Sequence, residues 1–198
     1  MIYATIMVLC LLPLYIYREK IFKSQNNQID DFALFIKDVK LHMMKYHPKM
    51  KIDYSIVEKT KNEQNIKLRE NLIIEDIVEQ FFNYAYKIRT QETVSRDKLW
   101  LGYDEKSISN SKLPNDWQQR KEIAWRRENK SCSRCGQNLI TLNDAHTIFV
   151  RDIKEGGGFN LENIIILCSD CNKIVNSTNE KSTVPSLLLN DKLMVFVK

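Results

Sequence analysis

The spacing of apolar positions changes along the chain, and each spacing predicts a different element. Residues 1–17, MIYATIMVLCLLPLYIY, hold no charged side chain and are followed at once by Arg18, Lys20 and Lys23. At the helical rise such a run spans about 25 Å, a little under the ~30 Å hydrocarbon core of a bilayer. It predicts a transmembrane helix with a basic flank, the alternative being a buried N-terminal helix. No charge precedes the run and no small-residue cleavage site follows it, which argues against a signal peptide. The basic flank places the rest of the chain on the cytoplasmic side of the inner membrane, as a single-pass protein.

Beyond Lys23 the period becomes helical. Ile29, Phe32, Ile36, Val39 and Met43 recur at three- and four-residue intervals, predicting an amphipathic helix that ends before Pro48. Ile52, Tyr54 and Ile56 alternate, and with Ile66 and Leu68 across a polar stretch they predict a hairpin. Leu72, Ile73, Ile77, Val78, Phe81, Phe82, Ala85 and Ile88 form one broad face of a second helix, expected to pack on the first. Residues 24–100 thus read as a mainly helical region without recognisable chemistry. His42 and His47 read as packing or surface residues, and a protein partner is one use for the region. Gly102 and Pro114, among Ser and Asn, mark residues 101–116 as a linker.

The last region, 117–198, opens with Asp116 as a candidate N-cap and with Trp117, Ile123 and Ala124 on a helix. An apolar segment around Ile148 predicts a strand, Gly156 to Gly158 a loop, and Ile164 to Leu167 a second apolar run. Leu187–Leu189 and Leu193–Val197, about Asn190-Asp191, predict a terminal hairpin.

Composition narrows the picture modestly. With 43% hydrophobic and 28% charged residues and few Gly and Pro, the 198-residue chain is that of a folded protein. The formal net charge of +5 permits nucleic-acid binding without requiring it. Distribution says more. Arg120, Lys121, Arg126, Arg127, Lys130 and Arg134 cluster beside the first cysteine pair, either as phosphate contacts or as a solvated helix face.

Four of the five cysteines form two Cys-x-x-Cys pairs, Cys132/Cys135 and Cys168/Cys171. A disulfide across two intervening residues is strained, whereas two such pairs supply the four thiolates of a structural zinc site. Reduced thiols also fit a reducing compartment.

Trp117, Cys132-x-x-Cys135-Gly136, His146, Gly156-Gly157, Asn163 and Leu167-Cys168-x-x-Cys171-Asn172 follow one another in an order that resembles the HNH endonuclease family. The resemblance covers about sixty residues and implies a zinc-stapled ββα-metal domain, hence an α+β chain overall. It also implies a catalytic cation (Mg, Mn or Ni) held against a scissile phosphate, with a histidine as base. By the resemblance, Asn163 orients the base and Asn172 is the helix ligand. The A-H-T-I register puts His146 on the ligand position and Thr147 on the base position. Alternatively His146 is the base and Asp144 the ligand, since residues two apart share a strand face. The implied function is a membrane-anchored endonuclease hydrolysing DNA phosphodiesters, with double-stranded DNA as partner. The alternative is a catalytically degenerate zinc module that binds nucleic acid or a protein.

Overall fold

The structure, a computed structural model, describes residues 31–88 and 113–197. Helix α1 occupies 31–46 and buries Phe35, Val39 and Met43, four residues apart on one face. A short helix α2, Ile56–Lys59, and the long α3, Ile66–Asn83, follow. Ile73, Ile74, Ile77, Val78 and Phe81 of α3 are buried in the same core as the α1 face.

The hairpin expected between Ile52 and Leu68 does not form, because two polar side chains turn the chain first. Asp53 accepts both the Ser55 N–H (3.0 Å) and the Ser55 hydroxyl (2.6 Å), which leads the chain into α2. Asn65 then caps α3 by accepting from the Leu68 N–H at 3.2 Å, so the second helix starts at Ile66.

Helix α4, Trp117–Arg127, buries Ala124 and Trp125, and the Trp125 indole donates to the Leu139 carbonyl at 3.1 Å. Strands β1, His146–Phe149, and β2, Ile164–Leu167, form one antiparallel pair in the register His146↔Leu167 to Phe149↔Ile164. Every residue of β2 is buried, because the strand runs through the centre of the core. Phe149 packs on Trp117 and Phe159, with ring centres 5.9 and 5.8 Å away. Helices α5, Ser169–Val175, α6, Glu180–Thr183, and α7, Leu188–Met194, complete the described chain. One hydrophobic core runs from Phe35 through Phe81 and β2 to Leu193, and α3 packs directly on α7.

Two expectations are corrected. Among the described residues no helix is long and apolar enough to cross a membrane. Even the long α3 carries Lys67, Arg69, Glu70, Glu75, Asp76 and Glu79 beside its apolar face. The fold class that included a transmembrane helix is therefore replaced by a mixture of helices and a small sheet. Residues 1–17, on which that expectation rested, lie outside the described residues, as does 89–112, which holds most of the expected linker.

The terminal hairpin is also wrong, since 188–194 is helical. Leu189 and Leu193 are buried at a four-residue spacing, and the buried Asp170 carboxylate accepts the Leu188 and Leu189 N–H groups, each at 2.9 Å. A cap supplied from eighteen residues upstream decides the local structure. Replacing Asp170 with Ala orphans two donors, one of them buried, and should cost roughly 2–3 kcal/mol. The check is a thermal melt, in which the transition should fall by about 5–10 °C.

Candidate metal centre and hydrolytic cavity

Two turns bring four sulfurs together. In the first, the Gly136 N–H donates to the Cys132 carbonyl (2.9 Å) and the Cys132 N–H to the Gln137 carbonyl (2.8 Å). Gly136 sits at φ +82, where a side chain would be strained and a Cβ would press on Pro48 and Lys49 at 3.0 Å. In the second, Cys168 is the N-cap of α5 and its Sγ accepts from the Cys171 N–H at 3.5 Å. Backbone bonds dock the first turn on the rest of the fold, from Ser133 N–H to the Ile166 carbonyl (2.9 Å) and from Lys49 N–H to the Cys135 carbonyl (3.1 Å).

The Sγ atoms of Cys132, Cys135, Cys168 and Cys171 all lie within 4.8 Å of one another, and Cys135 and Cys168 are 3.7 Å apart. Tetrahedral zinc with bonds near 2.3 Å separates its sulfurs by about 3.8 Å, so the donor set fits zinc. All four are buried. Hydrogen bonding from the other three thiols holds Cys132 well below the ordinary thiol value, while hydrogen bonds with Cys132 and Cys168, and after them burial, hold Cys135 and Cys171 above it. A divalent cation resolves that conflict by ionising the set together.

The basic run divides once it is placed. Arg134, expected to touch nucleic acid, is buried: one guanidinium nitrogen donates to the carbonyls of Phe81 (2.6 Å), Phe82 (3.0 Å) and Tyr84 (3.2 Å) at the end of α3. Its other terminal nitrogen reaches Cys171 Sγ at 3.6 Å. Arg127 is likewise turned inward, donating to the carbonyls of Leu161 (2.7 Å) and Ile164 (2.6 Å). Arg120 pairs with Asp116 at 2.9 Å and reaches the Phe159 carbonyl at 2.8 Å. Asp116 therefore spends its carboxylate on this pair and makes no capping bond. Lys121 is half-buried, which lowers its pKa. Arg126 and Lys130 are the exposed cations of the set, Arg126 in an ion pair with Glu122 and Lys130 over the Trp125 ring.

Asp144 and His146 line one open cavity of about 400 Å³, with Asn143, Ser169 and Lys192 on its other walls. Asp144 Oδ2 accepts from the Thr141 N–H (3.0 Å) and hydroxyl (2.9 Å), bonds that hold its carboxyl below the usual carboxylate range, with a smaller contribution from His146. Thr147 lies on the opposite face of β1 from His146 and is not on that wall.

The two asparagines are elsewhere. Asn163 is fully buried at the far end of the hairpin, about 13 Å from His146 at the strand rise. Its amide accepts from Arg151 N–H (2.9 Å) and donates to the carbonyls of Arg151 (3.0 Å) and Gly158 (2.8 Å), closing the loop between the strands. Gly157 lies under this clamp, where a Cβ would sit 2.1 Å from the Arg151 carbonyl oxygen. Asn172 accepts from the Asn176 amide at 3.0 Å and does not line the His146 cavity.

The stretch from the first cysteine to just past α5 matches the family model of the HNH endonuclease, over residues 132–178. This segment is an HNH domain. No curated protein and no solved structure matches the chain. The HNH domain holds both cysteine turns, the hairpin and α5, so zinc and sheet are parts of one module. The internal role of Arg134, read from the sequence as a phosphate contact, and the presence of Lys192 both escaped the sequence reading. Arg134 carried a signal in its position between two zinc ligands, whereas nothing in the sequence places Lys192 beside His146.

Replacing Cys168 with Ser removes one thiolate and the α5 cap from a site whose zinc is worth on the order of 10 kcal/mol to folding. The variant should lose both bound zinc, measured by elemental analysis, and the cooperative melt of the HNH domain. Asn163→Ala leaves three backbone groups without partners, at a cost of roughly 2–4 kcal/mol. Its urea midpoint should fall accordingly while zinc content is unchanged.

Proposed function

We propose that this protein is an HNH-type nuclease that hydrolyses DNA phosphodiester bonds in the cavity lined by His146 and Asp144. The observation that carries the reading is the meeting of these two side chains on one solvent-open wall, at the end of a hairpin that the zinc centre fixes. His146, half-exposed there, is placed to take the proton from an attacking water. Lys192, which lines the same cavity, is the cation available there to the phosphate oxygens.

The family implies a divalent cation as well, and Asp144 is the anionic donor that fits one. Both of the Thr141 bonds to its carboxylate fall on Oδ2, and magnesium-like ions commonly take one or two carboxylates and complete their shell with water and phosphate. Such an ion would neutralise charge building on the leaving oxygen. Asn172 stands outside this donor set.

A second reading, binding without cleavage, is favoured by one observation: Asn163 and Asn172 both have their side chains engaged within the fold. Plasmid nicking separates the two. With Mg, Mn or Ni the protein should nick, and His146→Ala should slow it by about 10²–10⁴-fold, the range of a lost general base. Asp144→Asn should raise the cation concentration needed, and Thr147→His, on the other strand face, should change little. Retardation of DNA on a gel with no nicking under any cation would establish the second reading instead.

A further inference from the structure

A larger cavity, of about 650 Å³, lies where the helical region meets the first cysteine turn, and it shares no lining residue with the His146 cavity. Lys49 and Lys51 from the turn after α1, and Lys87 from the chain leaving α3, stand exposed around it. None of the three ammonium groups is in an ion pair among the described residues. The one carboxylate on the wall, Glu128, is already held by Arg127 at 2.8 and 3.1 Å. The interior is therefore at positive potential, and Arg134 adds its charge at the floor while its nitrogens are taken up by carbonyls.

The remaining wall is aromatic and hydroxylic. Tyr84 lines it with the Arg134 guanidinium 5.6 Å from its ring centre, and Tyr86 stands beside Ser133. The Tyr86 and Ser133 hydroxyls are buried side by side behind this wall and interact with each other.

We infer that this cavity is a second nucleic-acid site, which receives one unpaired nucleotide of a strand. Its phosphate meets Lys51 and Lys87, and its base lies against the rings of Tyr84 and Tyr86. Lysines bind phosphate as point charges, and aromatic rings hold a base by its face irrespective of sequence. The volume is that of a pocket for one small ligand. A base stacked and paired within a duplex cannot enter such a recess, so the cavity selects single-stranded flanks. The inference rests on the nucleic-acid reading of the HNH domain and adds to it where, outside the hydrolytic cavity, the strand is held.

The test is fluorescence anisotropy with a labelled single strand of about 12 nucleotides, within the site sizes of single-strand binders, and the matching blunt duplex, on the whole protein. Lys51→Gln/Lys87→Gln should weaken the single strand by about tenfold or more at roughly 0.1 M salt and flatten the salt dependence by about 1.4 in log–log slope. Lys59→Gln/Lys61→Gln, which removes the same charge from exposed positions outside the cavity, should change affinity less than twofold. Tyr84→Leu, which removes an aromatic ring from the wall, should weaken the single strand more than the duplex. Equal losses in both lysine pairs, an effect on the duplex alone, or binding of free mononucleotide but of no strand would overturn the assignment. Failure of the hydrolytic reading shows in plasmid nicking and failure of this one in anisotropy, so the two are told apart.

Discussion

The meeting of four thiolates from two distant turns is the constraint on which the other features hang. Cys132 and Cys135 precede the hairpin and Cys168 and Cys171 follow it, so closing the tetrad closes the sheet between them. A two-stranded sheet is marginal on its own in water. Here β2 is buried between the cysteine turns, α4 and α5, and the Ser133-to-Ile166 bond ties the first turn to the strand itself. The zinc centre thus fixes where β1 begins, and with it where His146 stands.

The same centre binds the two halves of the chain together. Arg134 lies between two zinc ligands in sequence and terminates α3 in space, so the end of a helix fifty residues earlier is capped from the cysteine turn. Lys49 docks on the Cys135 carbonyl from the other side, and Gly136 is small where Pro48 and Lys49 close over it. The helical region is continuous in packing with the HNH domain. The His146 cavity and the lysine-rimmed one both owe their walls to that join: α7 contributes Lys192 to the first, and the chain leaving α3 contributes Tyr84 and Tyr86 to the second.

Charge is a poor guide to contact in this protein. The basic run next to Cys132 looked like one phosphate-binding surface, yet Arg127 and Arg134 spend their donors on backbone carbonyls within the fold. The positive potential that faces a cavity comes from lysines of the helical region, which sequence order keeps far from the HNH motif. Arginine suits the internal task because its planar fork satisfies several carbonyls at once, and lysine suits the open one as a hydrated point charge.

The sequence alone determined the zinc ligands, the HNH character of residues 132–178 and the helical faces of α1 and α3, because each is a short-range pattern of spacing. Cysteine pairs, a Gly-Gly loop and a four-residue apolar period are legible without knowing what they touch. Tertiary structure decided the rest. It made 188–194 a helix through a carboxylate eighteen residues upstream and set the Asn163 amide as a clamp on the loop between the strands. It also set Asp144 and His146 on one wall with Lys192. A side chain's role there depends on which carbonyls, N–H groups and charges the fold brings within bonding reach, and distance along the chain carries no record of that.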